Sequence, residues 1–199
     1  MNGINTMKNN TKILPFIIGK TITLRHLVPE DIEGNYPNWF NDADICVGNS
    51  HHVYTFTKDT ALEYIRSLSE RRDIIVLAII DKSDEQHVGN ISLQKINYIS
   101  RSAELAIIIG EKSTWGKGIG KEAAYLMAYH GFMSLNLNRI ECGTFENNIA
   151  MLRIALFLGM KHEGTRRGAV YKEGQYLNVL EYGVLKSEFD FDLIKEYKT

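Results

Sequence analysis

The chain of 199 residues predicts a single α/β domain built around a mixed, mostly antiparallel sheet. Predicted strands and helices alternate along the chain: a strand, two helices, three strands, a helix, a strand, a helix and a final strand pair. An apolar segment leads through a glycine-rich turn into one of these helices. No internal repeat, linker or low-complexity tract divides the chain, so the elements are expected to share one core.

We expect residues 1–12 to be a flexible N-terminus, 13–187 to form the domain, and 188–199 to be a charged tail. Residues 21–25 alternate apolar and polar side chains and predict the first strand. Pro29, followed by acidic residues, begins a helix that ends in a polar loop. Thr57 precedes a second helix, residues 61–68, as a capping residue.

The later strands are predicted from short runs of β-branched and aliphatic residues, which cover 74–80, 87–93, 103–109, 139–144, 161–163 with 169–172, and 176–185. The hydrophilic segment 81–85 predicts a turn between the first two of these strands. A helix is expected from near Gly116 through Phe132. A shorter helix, residues 148–158, is expected to end at Gly159 because glycine accepts the left-handed conformation that closes many helices.

Composition excludes several classes of function. The net charge is −1 and basic residues are scattered, so no nucleic-acid partner is expected. No apolar run reaches the roughly 18 residues that span a bilayer, and no secretory signal precedes the domain, so we expect no membrane partner. Cys46 and Cys142 have no metal-ligand spacing. We therefore expect no metal site and a cytoplasmic location, since two cysteines make no disulfide framework.

The glycine-rich turn predicts an anion site. Residues 105–109 are apolar, and Gly116, Gly118 and Gly120 follow before a helix. Backbone N–H groups and the helix dipole at such a turn attract phosphate. The spacing fits neither a Walker A loop nor a dinucleotide fingerprint, which disfavours a kinase or a dehydrogenase. By itself the turn is equally compatible with a flexible connection between strand and helix.

Three blocks resemble the GNAT superfamily of N-acetyltransferases, in particular its RimJ/RimL-like branch. Trp-Gly-x-Gly-x-Gly-x-Glu-Ala at 115–123 is similar to the acetyl-CoA signature. Asn-x-x-Met and Leu-Gly-Met-x-x-Glu-Gly at 148–164 resemble a second family block, and Leu-Arg-x-Leu with Trp-x-Asn-Asp at 24–42 resembles an early one. The resemblance implies the GNAT fold, a mostly antiparallel sheet splayed at the cofactor site with helices on both faces.

The resemblance also implies the cofactor site. Acetyl-CoA would serve as co-substrate, with its diphosphate held by the backbone of the glycine loop and its pantetheine arm lying along the preceding strand. The implied cofactor residues are Ile107, Ile108, Ile109, Trp115, Gly116, Lys117, Gly118, Ile119, Gly120, Lys121 and Asn148. The amide near Ile108 is expected to polarise the acetyl carbonyl.

The implied reaction moves an acetyl group to a primary amine, which must lose a proton before it attacks. Glu104 matches the position of the base in histone-type members and is the candidate catalytic residue, although a solvated or ion-paired role is the alternative. Trp39, Asn41 and Asp42 lie in the segment that covers the acceptor in the family, with a buried Trp39 as the alternative. Ala155 stands where some members have a tyrosine acid, so a tyrosine-acid mechanism is not expected.

The resulting prediction is an acetyl-CoA-dependent N-acetyltransferase that works by direct transfer. The expected acceptor is a small molecule such as an amino sugar, with a ribosomal-protein N-terminus or a polyamine as alternatives. A non-catalytic acyl-CoA-binding module is the alternative from another class. The sequence leaves a homodimer open.

Overall fold

A computed structural model describes residues 13–197, and the predicted flexible terminus at 1–12 lies outside the described residues. The strands are β1 (Ile17–Ile18), β2 (Ile22–His26), β3 (Ile75–Asp81), β4 (His87–Asn97), β5 (Ser102–Ile109), β6 (Arg139–Phe145), β7 (Lys161–Lys172) and β8 (Gln175–Leu185). The helices are α1 (Tyr36–Trp39), α2 (Ala43–Cys46), α3 (Lys58–Ser67), α4 (Ile119–Met133), α5 (Ile149–Phe157) and α6 (Ile194–Tyr197).

All eight strands form one sheet, in the order β1-β2-β3-β4-β5-β6-β8-β7. Every neighbouring pair is antiparallel except β5 and β6, which run parallel. These two strands pair only from Ser102–Arg139 to Glu104–Glu141. Beyond this point β5 continues to Ile109 and β6 to Phe145, so a wedge-shaped gap opens between them. The predicted mostly antiparallel, splayed sheet is therefore confirmed.

Helices cover both faces of the sheet, as predicted. On one face α4, α5 and the C-terminal segment pack on the larger core, around Leu93, Leu105 and Ile140. On the other face α1 and α3 pack on a smaller core around Ala78 and Ile80. No helix within residues 13–197 is long and apolar enough to cross a membrane.

The C-terminal segment contributes aromatic side chains to the larger core. Phe189 stacks on Tyr125 with ring centroids 5.0 Å apart and meets Phe132 at the same distance. Tyr197 also packs on Tyr125, at 5.2 Å. The segment predicted as a charged tail thus buries apolar rings against α4, because its charged residues alternate with aromatic ones.

Several element boundaries differ from the predicted ones for local reasons. The helix predicted at Pro29 is a 3-10 turn, Pro29–Glu33, followed by the short α1. Residues 161–172 form one strand instead of two pieces, with register shifts that absorb the interruption. Helix α5 ends at Gly159 as predicted, with φ 75° at this glycine. The predicted strands around residues 172 and 176 are joined by a turn in which Glu173 and Gly174 have φ 50° and 84°.

Candidate active site

The glycine loop between β5 and α4 has the conformation of an anion site. Gly116 and Gly118 have φ 77° and 87°, in the left-handed region that favours glycine. A Cβ built on either glycine meets nothing within 4 Å, so both face open space. Helix α4 begins at Ile119, one residue after Gly118, and its dipole points its positive end at this space.

Hydrogen bonding within the turn decides which amides of the loop are available. The N–H of Trp115 donates to Lys112 O at 3.2 Å, that of Lys117 to Thr114 O at 3.3 Å, and that of Lys121 to Gly118 O at 3.0 Å. Among the described residues, four amides of the predicted set have no backbone acceptor: those of Gly116, Gly118, Ile119 and Gly120. Of the seven loop residues 115–121 whose N–H groups were expected to bind the diphosphate, four therefore have an N–H group that is free to do so.

The ladder between β4 and β5 decides which main-chain groups face the gap. Gly110 donates its N–H to Val88 O at 2.9 Å, and hydrogen-bonded pairs alternate along an antiparallel ladder. The pair Asn90–Ile108 is therefore hydrogen-bonded, which turns the Ile108 amide toward β4. The main-chain groups of Ile107 and Ile109 point toward the gap. The Ile108 amide, which was expected to polarise the acetyl carbonyl, thus faces β4, and the amides that face the gap are those of its two neighbours.

Three carboxylates lie on one face of the sheet where β5 and β6 begin to separate. Glu104 on β5 is the register partner of Glu141 on β6. On β8, Glu181 is the partner of Gly143, and its Oε2 lies 3.1 Å from the place where a Cβ on that glycine would be. Neighbouring positions on adjacent strands project to the same side of a sheet. This group, Glu104, Glu141 and Glu181, is called here the carboxylate face.

Each member of the carboxylate face is paired with a cation. Glu104 accepts from Lys95 Nζ at 2.6 Å and from Gln94 Nε2 at 3.2 Å. Its side chain is 23% exposed, so the predicted candidate base is half-buried and ion-paired. Glu141 accepts from Arg139 at 2.9 Å and Glu181 from Arg166 at 2.5 Å. The side chains of Lys95 and Arg166 are 77% and 63% exposed, so both cations lie at the surface.

The structure places Trp39 in the smaller core, as in the alternative given with its predicted acceptor role. The residue is only 2% exposed, and its ring occupies the space above Gly110, where an added Cβ would meet it at 1.9 Å. Its indole N–H donates to Glu111 Oε1 at 3.1 Å. A buried indole with its one donor satisfied packs the smaller core and leaves no face for a ligand.

Asn41 and Asp42 hold the local fold, and their predicted acceptor role stays a prediction. The Asn41 amide bridges the chain by donating to Phe56 O at 2.6 Å and accepting from Phe56 N at 2.8 Å. The Asp42 carboxylate caps α2 and pairs with Lys112 at 2.9 Å. Hydrogen bonding to Lys112 is the main cause of the lowered Asp42 pKa. Both side chains already have partners within the chain.

Comparison with known proteins identifies the family. A family model described as an acetyltransferase (GNAT) domain matches residues 21–161, more than two thirds of the chain. The chain belongs to the GNAT acetyltransferase family. It is an N-acetyltransferase.

Two curated relatives show the same activity class. An uncharacterised N-acetyltransferase, p20 of Bacillus licheniformis, is 27% identical over 172 residues, which cover 84% of this chain and 94% of the relative. The spermidine N(1)-acetyltransferase of Escherichia coli (strain K12) is 29% identical over 149 residues, which cover 75% of this chain and 74% of the relative. Both matches extend over most of the domain.

A solved structure supports the fold. The crystal structure of the spermidine N-acetyltransferase from Vibrio cholerae, in complex with CoA and spermine, superposes with a TM-score of 0.77 at 25% identity. The match covers 84% of this chain and 97% of that chain. The acetyltransferase therefore shares its architecture with an enzyme that has been seen with CoA.

Asn148 has a second role in the acetyltransferase besides the one predicted for it. Its side chain caps α5 by accepting from Met151 N at 3.0 Å, and it donates to Gly48 O at 2.9 Å. It therefore ties the N-terminus of α5 to the loop that follows α2. Its predicted contact with the pantetheine arm stays a prediction.

Cys142 follows Glu141 on β6 with its side chain buried in the larger core, on the opposite face of the sheet, and is a poor nucleophile. Burial is the main cause that raises its pKa to about 12, and the charges of Glu104, Glu181 and Glu141 add to the effect. The thiol is therefore protonated at neutral pH, whereas a cysteine nucleophile needs the thiolate. Within residues 13–197, no group of three or more His, Cys, Asp or Glu side chains could hold a metal ion.

Sequence reasoning missed Glu141, Glu181 and their cations. Alternation in strands 139–144 and 176–185 could place each glutamate on the face opposite the buried core. It could not show that both strands lie next to Glu104, because Glu181 reaches its place through a pairing of residues distant in sequence. Only the strand order brings the three carboxylates together.

Proposed function

We propose that this acetyltransferase transfers the acetyl group of acetyl-CoA directly to a primary amine of a polyamine. The observation that carries the proposal is the carboxylate face, which lies on one side of the sheet where β5 and β6 separate. A polyamine has several ammonium groups on an apolar chain, so carboxylates spaced along neighbouring strands suit it. The proposal takes the polyamine alternative in place of the amino sugar.

The residues around the gap fit acetyl-CoA. The free amides of Gly116, Gly118, Ile119 and Gly120 would hold the diphosphate. The open space above Gly116 and Gly118 would let phosphate oxygens approach the backbone. The main-chain groups of Ile107 and Ile109 would pair with the pantetheine amides, and the Ile107 amide replaces that of Ile108 as the candidate donor to the acetyl oxygen.

The chemistry requires one proton transfer by the protein. When bound, acetyl-CoA supplies the thioester. Glu104 would take one proton from the bound ammonium, directly or through water, so that the neutral amine nitrogen can attack the carbonyl carbon. As the carbon–sulfur bond breaks, the nitrogen gives its second proton to the CoA sulfur, CoA leaves as the thiol, and Glu104 returns its proton to solvent. Lys95 already places one primary ammonium against this carboxylate at 2.6 Å, so the site is shaped for such a group.

The ammonium groups of the acceptor would bind by displacing the lysine and arginine side chains that pair with the carboxylates. Lys95 and Arg166 neutralise Glu104 and Glu181 through long, exposed side chains. Exposed ion pairs of this kind contribute little, typically below about 1 kcal/mol, so an incoming ammonium can replace them. A second ammonium of the same polyamine would bind Glu181 or Glu141, which a monoamine cannot do. The carboxylate face therefore favours acceptors with more than one positive charge.

The relatives favour a polyamine over an amino sugar. The names of the E. coli and V. cholerae proteins give spermidine as their substrate, and both match most of this chain. The comparisons identify the family and no branch within it, so membership of the RimJ/RimL-like branch is part of this proposal only. A non-catalytic acyl-CoA-binding module would use the same free loop amides to hold CoA. Turnover of an amine is the observation that distinguishes an enzyme from such a module.

The test is release of CoA thiol from acetyl-CoA with a panel of amines. The panel contains spermidine, spermine, butylamine, an amino-sugar nucleotide and a peptide with a free N-terminus. We expect kcat/KM for spermidine to exceed that for butylamine by at least 100-fold. A higher value for the amino-sugar nucleotide or the peptide would overturn the polyamine proposal. CoA binding without turnover of any amine would favour the non-catalytic module.

A further inference from the structure

One lysine of the β7–β8 hairpin holds the loop that follows α2. The Nζ of Lys172 donates to the main-chain oxygens of Cys46 at 2.5 Å, Asn49 at 2.7 Å and His51 at 3.3 Å. The three N–H groups of one ammonium thus meet three carbonyls of one short segment. Residues 46–51 are called here the acceptor loop.

The acceptor loop depends on this lysine because it has little regular structure of its own. It begins at Cys46, the last residue of α2, and ends before α3, and within it Asn49 donates its N–H to Cys46 O. Its partners elsewhere in the chain include Asn148, which donates to Gly48 O at 2.9 Å. Lys172 joins three points of the loop, so it restricts more of the backbone than a single hydrogen bond can.

The position of the loop connects it to the candidate site. Asn148 follows the end of β6, on the open side of the gap, and it binds the loop from there. His51, at the end of the loop, lines a cleft of about 200 Å³ together with Phe40, Tyr54 and Phe56. The loop therefore connects the end of the gap with a partly apolar cleft that could receive the alkyl chain of an acceptor.

We propose that Lys172 is a positioning residue, which fixes the acceptor loop in the conformation that receives the amine. The inference rests on the proposed function for its effect on acceptor binding, but the ordering of the loop is independent of it. The lysine belongs to the hairpin and touches neither the glycine loop nor the carboxylate face in the contacts described. Its loss should therefore change acceptor binding and leave CoA binding intact.

The experiment compares Lys172→Met, which removes the ammonium, with Lys172→Arg, which keeps a cation and several N–H donors. Lys161→Met is the matched control, because Lys161 lies at the other end of β7 in an exposed ion pair with Glu188. We expect Lys172→Met to raise KM for spermidine at least 10-fold with kcat and the Kd for CoA within twofold. Lys172→Arg should recover most of the loss, and Lys161→Met should resemble the wild type.

Amide hydrogen exchange provides a readout that needs no substrate. In Lys172→Met we expect residues 46–51 to exchange at least 10-fold faster, with the glycine loop unchanged. Unchanged exchange in the acceptor loop would overturn the inference, even in an active enzyme. If the wild type acetylates no amine, the proposed function fails separately, and the exchange measurement still decides whether Lys172 orders the loop.

Discussion

Glu104 and Glu141 face each other across the last paired position of β5 and β6. Strands in a sheet lie roughly 4.8 Å apart, so two like charges stand side by side where the sheet opens. Lys95 and Arg139 supply the opposite charges. The two carboxylates thus depend on these cations at the point where the sheet opens, and Lys95 is exposed enough to be displaced from Glu104.

Replacing Glu104 by Gln should remove the proton acceptor and keep the shape of the side chain. We expect kcat/KM at pH 7 to fall about 100-fold, the lower end of the range for general base catalysis. Activity should recover in part as the pH approaches the amine pKa of about 10.4, because the amine then loses its proton to solvent.

The Kd for CoA should be unchanged in this variant. Asp192→Asn is the control, since Asp192 also pairs with a lysine, at 2.7 Å, but lies in the C-terminal segment. A pH–rate profile that is the same in wild type and Glu104→Gln would exclude Glu104 as the base.

Replacing Glu181 by Gln should reduce the preference for polyamines. Glu181 lies two strands from Glu104 and would bind a second ammonium. We expect KM for spermidine to rise at least about 10-fold, because a hydrogen bond to a charged group contributes about 1.5–3 kcal/mol and about 1.4 kcal/mol is a factor of ten. KM for butylamine should stay within twofold. Equal losses for both amines would show that Glu181 acts on the fold instead of on the acceptor.

Replacing Gly118 by Ala should weaken CoA binding through the backbone alone. The added methyl group would cause no clash, since a Cβ at this position meets nothing within 4 Å. The substitution is unfavourable because φ is 87°, and the left-handed conformation costs an L-residue about 1–2 kcal/mol. We expect the Kd for CoA, measured by calorimetry, to rise roughly 5- to 30-fold.

Gly164→Ala is the matched control for this measurement. A Cβ on Gly164 also meets nothing within 4 Å, and its φ lies outside the left-handed region. Its CoA affinity should equal that of the wild type. Equal affinity in Gly118→Ala would contradict the role assigned to the loop conformation.

Replacing Asp31 by Asn should destabilise the fold and change its pH dependence. Burial raises the pKa of Asp31, but hydrogen bonds from Arg25, His87 and the Val28 amide outweigh it and hold the pKa well below its usual value. Arg25 pairs with the carboxylate at 2.6 Å, and both side chains are largely buried. We expect a loss of about 3 kcal/mol at pH 7, because the substitution leaves a buried guanidinium without its partner.

The sign of the pH effect follows from the lowered pKa. The stabilisation by Asp31 is complete above the unfolded pKa of about 3.9 and is lost as the pH falls toward the folded pKa. Urea unfolding at pH 7, 5, 4 and 3 should therefore show the difference between wild type and variant shrinking below about pH 4. A constant difference down to pH 3 would contradict this assignment.

Structural features that depend on one residue or on a local turn could be predicted from the sequence. Gly159 ends α5 as expected, because the left-handed conformation there depends on a single residue. The splayed sheet came from the family resemblance, which the pairing of β5 and β6 confirms. The glycine turns and the order of the three sequence blocks were enough to predict the fold.

Structural features that depend on contacts between residues far apart in the chain could not be predicted from the sequence. Trp39 is buried beside Gly110 with its N–H on Glu111, 72 residues away, a contact that could not be foreseen when its burial and an acceptor role were both left open. The direction of the Ile108 amide depends on the register of β4 against β5. Lys172 meets its carbonyl partners across more than 120 residues. None of these relationships has a local pattern.

Helix α4 begins at the free amides of the glycine loop and also fills the centre of the larger core. A ligand that binds only the folded form stabilises it by mass action, by about 2.7 kcal/mol at 100 times its Kd. Heat tolerance of this protein should then rise and fall with the supply of CoA. A cell depleted of the cofactor would lose not only turnover but also some of the enzyme itself to proteolysis.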